Sequence, residues 1–406
     1  MNKFKYFFIL VIALTGLVSC NKDDDNDIVL EPLRDYAVQY ATDKATIESY
    51  LNTHYIVITE SEGDAEDRDV VIDSIENPAT QVPIMSYKAN VGTAVFPQLK
   101  SKNVDLHGIT YELYYLVLRE GIGEYPVNTD AVLTSYNVSY LRNVAKTDKF
   151  PAYVASTFVE ESRYPQTFWD LSGIGATGAT AVGIRGWGEV FPELKTGNSA
   201  VNGDGTISYT DFGAAVMFLP SGLAYYAGGS SIPSYSPLVY NVKLYQVMRL
   251  DHDNDGVLDK DEDKNGDRYL RDYRSTILYP NAPVNPDDTD GDGVPDFMDI
   301  DDDGDGYTTR SEITKAANEF GIVNGVNFGP SRYFPFEAFV IEDDPLTPNI
   351  NESSNSEPKG IPSFVKTETV DGVVKNVYDY STPGRLKIHL DKDHNTTKVT
   401  TVTSKK

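Results

Sequence analysis

The chain has 406 residues, 40% of them hydrophobic and 24% charged, with a formal net charge of -26. That length gives room for two or more domains with a buried core, and so acidic a balance argues against nucleic-acid binding, which needs clustered Lys and Arg. The five histidines (His54, His107, His252, His389 and His394) show no paired spacing and Cys20 is the only cysteine, which argues against zinc chemistry, a His-based nucleophile and an internal disulfide.

The chain opens MNKFKYFFILVIALTGLVSC: Lys3 and Lys5, an apolar run from Phe7 to Val18, then Leu-Val-Ser-Cys. The run falls short of the roughly 18 residues that a spanning helix needs, so residues 1–19 read as a secretory signal. Its end resembles a bacterial lipobox. That resemblance implies cleavage before Cys20, acylation of Cys20, and a protein anchored to the membrane by lipid rather than spanning it. Residues 20–30 carry NKDDDND, an acidic tether similar to the export signal of surface lipoproteins in the Bacteroidetes; a solvated spacer facing the periplasm is the alternative. The expected address is the outer membrane, on its periplasmic face or on the cell surface.

Residues 31–105 form an N-terminal extension. After Pro32, Leu33, Ala37, Tyr40, Ile47 and Leu51 recur at three- and four-residue steps beside Tyr36 and Tyr50, which predicts one amphipathic helix from Pro32 to Asn52. Glu60 to Asp73 reads as an acidic loop, and Val82 to Leu99 shows weak strand patterning.

Three runs follow in the middle of the chain: GIRGWGEVFPELKTG (Gly183 to Gly197), FLPSGLAYY (Phe218 to Tyr226) and SSIPSYSPLVYNVKLYQV (Ser230 to Val247). In the first, Trp187, Val190, Phe191 and Leu194 stand at helical spacing, Gly197 closes the segment, and Pro192 keeps the helix brief. In the last, Val239, Asn241 and Lys243 alternate with Leu238, Tyr240, Val242 and Leu244, a strand with one buried face.

These runs, in this order, resemble the FKBP family of peptidyl-prolyl cis/trans isomerases, and Gly108 to Leu141 is similar to the first strands of its bacterial members. The resemblance covers residues 106–247 and implies an α+β fold, an antiparallel sheet wrapped over a short helix with a ligand cleft between them. It implies Trp187 as the floor beneath a proline ring, Ile184 as the backbone donor to the substrate carbonyl, with Gly183 beside it, and Tyr136, Phe158 and Phe168 as pocket aromatics. Tyr225 would reach the ligand with its hydroxyl, Ile232 would form the lip, and Tyr240 would stand for the last-strand Phe. The implied partners are proline-containing polypeptide clients. The resemblance also offers the N-terminal helix as a homodimer surface, against packing on its own domain. Two departures bear on turnover: Val159 replaces the family Asp, and Tyr226 replaces a Gly. A peptide-docking module without catalysis is therefore the rival reading.

Residues 248–315 are acidic in a different way. Asp251, Asp253, Asp255, Gly256, Asp259 and Glu262 occupy loop positions 1, 3, 5, 6, 9 and 12; Asp288, Asp290, Asp292, Gly293, Asp296 and Asp299 repeat them, and Asp301, Asp303, Asp305, Gly306 and Glu312 form a third copy. Alternating carboxylates around a Gly turn supply the six to eight oxygens that calcium takes; a solvated acidic linker is the alternative. Pro286 and Pro295 break helices around the second copy, and the stretch resembles thrombospondin type 3 and related repeats. That implies structural calcium, stiffening an extended segment. An overlapping loop at Asp261, Asp263, Asn265 and Asp272 contains Arg268, and an insert at Asn202, Asp204, Gly205 and Asp211 has Ala200 at its first position, so both patterns are weaker. Residues 316–406 read as a partly disordered extension, with aromatics at Tyr333, Phe334, Phe336 and Phe339, a polar linker NINESSNSEPKG, and a Thr-rich basic end.

Overall fold

The strand Gly213–Leu219 organises the molecule. All of its residues are buried; Ala215, Met217 and Leu219 face one apolar cluster, while Ala214, Val216 and Phe218 face another. Side chains alternate across a strand, so a strand that is apolar throughout has to be covered on both sides.

The computed structural model describes residues 32–315, 320, 322–323, 326–327, 330–334, 360–370 and 373–394. The secretory signal, Cys20, the acidic tether, Phe336, Phe339, most of the polar linker and the Thr-rich end lie outside them. Among the described residues no helix is long and apolar enough to cross a membrane. By its contacts the chain from Tyr36 onward is one unit.

The fold is mixed α+β. Strands β1 (His54–Ile58) and β2 (Val70–Ser74) form a separate hairpin. The main sheet takes β3 (Gln98–Leu106), β4 (Ile109–Arg119), β5 (Ala131–Val144), β6 (Tyr153–Ser162), β7 (Phe168–Asp170), β8 (Thr180–Ala181), β11 (Gly213–Leu219) and β12 (Leu238–Met248). Its order is β3-β4-β11-β12-β5-β7-β8, with β6 pairing β5; only β7 and β8 run parallel. The sheet thus begins at Gln98, eight positions before the expected boundary at 106.

Helix α1 (Tyr36–Thr53) covers one face. It begins at Tyr36 rather than at Pro32, and Ile47, Tyr50 and Leu51 pack into the cluster containing Leu116 and Phe218. Its buried Asp43 accepts hydrogen bonds from the Ser221 backbone N–H (2.8 Å) and hydroxyl (2.6 Å). The helix therefore packs its buried face on the chain's own sheet, the alternative that the sequence set beside a homodimer surface. On the opposite side lies α2 (Arg185–Val190), followed by a 3₁₀ turn at Phe191–Glu193 where Pro192 halts the α-helical bonding.

One expectation from the sequence is overturned, and one weaker pattern takes another form. Strand β12 is buried on both faces: Lys243 is only 4% exposed because its ammonium donates to the Ala65 carbonyl (2.6 Å) and to Asp69 (2.5 Å) in the segment that reads as an acidic loop. The insert after Gly197 forms a hairpin, β9 (Asn198–Val201) and β10 (Ile207–Thr210), and at its tip the Asn202 amide donates to Thr206 and Ser208 instead of joining an acidic ring.

The acidic segment does not extend away from the sheet. Leu270 and Phe297 bury themselves with Val127, and the Asn128 side chain bonds both the N–H and the C=O of Leu270 (2.8 and 2.7 Å). Val257 and Ile313 join Phe334, Ile361 and Ile388 in a further apolar cluster. The described part of residues 316–406, read from the sequence as a partly disordered extension, includes a hairpin at Ser363–Val370 and Val373–Asp379.

Candidate functional site

The indole of Trp187 stands in the first turn of α2 and faces the sheet. Its ring meets Tyr136 at 5.4 Å, Phe191 at 5.3 Å, Tyr240 at 5.5 Å and Trp169 at 6.4 Å, all edge-on. Such contacts add about 0.5–1.5 kcal/mol each beyond burial. Tyr136 and Tyr240 come from the paired strands β5 and β12, so the strand register fixes two walls of the cluster. Trp187 is 2% exposed, and its ring N–H is buried without an acceptor.

Ile184 caps α2 and is buried, as is Ile232; both belong to the same apolar cluster. Gly183 lies beside the Tyr225 ring at the helix start, where an added Cβ would meet the ring at an ordinary contact distance of 3.9 Å. Tyr225 is 36% exposed and forms the open edge. Burial raises its pKa, with the nearby Glu160 charge adding to the effect. Burial pushes the Tyr136 hydroxyl up to about 12, again with Glu160 contributing, and raises Tyr240 further. All three phenols therefore stay neutral donors at ordinary pH.

Two residues assigned to the pocket lie elsewhere. Phe158 is 64% exposed. The ladder between β5 and β6 slips between Val138 and Ser139, pairing Val138 with Glu160 and Ser139 with Phe158. The extra residue, Val159, packs into the cluster that holds Trp187, and the slip turns Phe158 to the other face. The same bulge brings in a carboxylate that sequence reasoning missed: the Tyr136 hydroxyl donates to Glu160 at 3.2 Å. Phe168 and Trp169 exchange roles in the same way. Trp169 pairs with Val132 and shares its face toward Trp187, and strand alternation directs Phe168 away.

The acidic repeats share one internal geometry. In each, the N–H of the glycine at position 6 (Gly256, Gly293, Gly306) donates to the carboxylate at position 1, at 3.0 to 3.2 Å. All three glycines have φ near +100°, from 91° to 102°, a conformation that side chains oppose. Asp288, Asp290 and Asp292 bring carboxylate oxygens within 4.8 Å of one another, and so do Asp301, Asp303 and Asp305. In the first loop the converging group is Asp253, Asp255 and Glu262, joined by Asp302. Burial and mutual repulsion push Asp253 up to about 8 and Asp255 up to about 7. The all-carboxylate donor sets fit a hard divalent cation such as calcium.

Position 9 plays a different part from the one read in the sequence. Asp259 accepts from the His252 backbone N–H (3.1 Å), and its other oxygen lies 2.6 Å from the His252 ring; Asp296 accepts from the Thr289 N–H (2.7 Å) and hydroxyl (2.6 Å). Thr309 does the same for the Asp302 N–H at 3.3 Å. These side chains brace the loop entrance. Asp299 accepts from the Asp301 N–H (3.0 Å), and Glu312 is buried at the end of α3 (Thr309–Glu312). A fourth loop with the same bonding runs from Asp263 through Asn265 to Asp267, with Arg268 at φ 74° in the glycine position.

A family model described as BamM C-terminal matches residues 252–349. No curated protein matches the chain. Similar solved structures include a peptidyl-prolyl cis-trans isomerase from Pseudomonas syringae pv. tomato str. DC3000, 20% identical over 41% of this chain and 90% of that one, with a TM-score of 0.24. Also similar are FkpA from Escherichia coli (23% identity, 34% and 48% covered, TM-score 0.18) and the three FKBP domains of wheat FKBP73 (18%, 36% and 51%, TM-score 0.23). The chain spans about half the length of the last two, 48% and 51%.

Proposed function

We propose that the chain is a prolyl isomerase or folding helper for extracytoplasmic proteins, lipid-anchored through Cys20 at the outer membrane, with a calcium-ordered segment after its sheet. The observation that carries this reading is the gathering of Tyr136, Trp187 and Tyr240 from separate elements, with Tyr225 at the open edge and Glu160 beside the Tyr136 hydroxyl. Rotation about an X-Pro bond has a barrier of about 18–20 kcal/mol because amide resonance is lost on the way. An apolar, aromatic-lined site weakens that resonance by withholding water, and fixed donors meet the carbonyl in its twisted form. No acid, base or metal is required. The neutral Tyr225 hydroxyl and the Ile184 N–H are the donors we assign, with Tyr136 held in place by Glu160. The match of residues 252–349 to BamM C-terminal supports the outer-membrane address.

The test is acceleration of cis/trans exchange in proline tetrapeptides with varied preceding residues, using the calcium-loaded full chain. Replacing the half-exposed Tyr225 with Phe should lower kcat/KM by about tenfold, about 1.4 kcal/mol of transition-state stabilisation, without loss of folding. One observation favours the second reading, a docking module without turnover: the indole is 2% exposed and ringed by Tyr136, Trp169, Phe191 and Tyr240, so a prolyl ring reaches it only after neighbouring rings move. Peptide-dependent fluorescence change from Trp169 and Trp187, with no acceleration of exchange, would establish that reading instead.

A further inference from the structure

We infer that Asp302, which occupies no ligand position in the loop pattern, binds the same calcium ion as Asp253, Asp255 and Glu262, so that one ion clasps the first acidic loop to the third. The inference rests on the calcium reading above and goes beyond it, because the sequence pattern makes each loop a separate site.

The four side chains bring carboxylate oxygens within 4.8 Å of one another. Asp302 is 1% exposed, and both of its carboxylate oxygens are buried without a hydrogen-bond partner; Asp253, Asp255 and Glu262 each aim one such oxygen into the same space. The Thr309 hydroxyl accepts from the Asp302 backbone N–H, and its single proton lies within reach of both the Asp302 and the Asp255 carboxylates. Buried carboxylates left short of donors are strongly unfavourable, and four of them together repel. A cation with a preference for oxygen ligands removes both penalties. Asp259, the residue that the loop pattern nominates, is held by His252, and Asp302 joins Asp253, Asp255 and Glu262 in its place. Asp251 lies beside the group with one oxygen also buried and unpartnered. The ion then closes the chain between Glu262 and Asp302, and a clip of this kind restricts the unfolded state as well as filling the site.

The experiment is calorimetric calcium titration and thermal unfolding of the full chain, wild type against Asp302→Asn, Asp253→Asn and the double variant. Asp302→Asn should weaken one site by about tenfold or more, as ligand charge count sets affinity. It should lower the unfolding temperature in calcium and raise it in EGTA, because the near-isosteric amide removes a buried like charge. That crossing excludes simple misfolding, which would lower both. The double variant should lose no more than one ion. Loss of two ions, or an Asp302→Asn titration matching wild type, overturns the shared site while leaving calcium binding intact. A wild type that takes up no calcium overturns both.

Discussion

Glu160 shows how one residue of slippage reassigns a site. The sequence presents Phe158-Val159-Glu160 where a Phe-Asp pair was sought, and the absent acid suggested weak turnover. The bulge supplies a carboxylate from the next position, and nothing in the local sequence distinguishes a regular strand from a bulged one. His107 is a second case that reading alone did not reach. It occupies the left-handed region at φ 56° in the turn after β3, stacks on Tyr36 at 3.7 Å and lies 3.1 Å from the Tyr111 hydroxyl. Burial, with the Arg185 charge second, lowers its pKa to about 4. The folded state therefore holds fewer protons than the unfolded chain, whose histidine titrates at about 6.5. Its contribution to stability is complete above about pH 6.5 and is lost as pH falls toward 4. Unfolding temperatures measured across that window should decline in the wild type, and the decline should be shallower in His107→Asn, since Asn tolerates the left-handed backbone.

Among the elements, α2 is the most dependent on distant chain. Glu189, two residues beyond Trp187, is buried. Arg271 grips both of its oxygens, the second at 2.9 Å, and Lys102 lies 3.1 Å away. Burial alone would raise the Glu189 pKa, but Arg271 and Lys102 together hold it below the usual range. The Tyr269 hydroxyl donates to Glu193 at 2.8 Å, so the helix that floors the aromatic cluster is fastened from the acidic segment. Breaking a buried pair by removing one partner costs about 3–5 kcal/mol; Arg271→Ala should destabilise the sheet unit by about 3 kcal/mol in urea titration, and Arg271→Lys should recover only part of that because it loses the two-pronged contact. A loss below about 0.5 kcal/mol would show the pair to be incidental. The elements themselves were largely legible. The Trp187 spacing marked α2, the alternation of β12 marked a strand, and the Asp periodicity marked the three loops, since all three signals are local. The second buried face of β12, the Glu189–Arg271 pair and the approach of Asp302 to the first loop join residues far apart in sequence, and no periodicity reports them.

At the scale of the whole molecule, the acidic segment is a covering layer rather than a stalk. Withdrawing calcium should therefore lower the unfolding temperature of the sheet along with the loops, by an amount that grows with free calcium over its dissociation constant. Proteolysis in EGTA should cut first within residues 251–262 and 287–312. A chelator-insensitive melting curve, with equal protection of both stretches, would rule out calcium as the ordering agent.

The fourth loop behaves differently, and the reason is Arg268. Where its three neighbours place glycine, this loop places a guanidinium that lies 4.1 Å over the Tyr125 ring and donates to the Pro192 carbonyl; Arg271 and Arg274 stand at the positions where an acid would close a metal ring. The loop carries its own positive charge. It should remain latched to Tyr125 and Pro192 after a chelator has emptied its neighbours, and molar salt, which leaves tightly held ions in place but screens guanidinium contacts, is the reagent expected to work it loose.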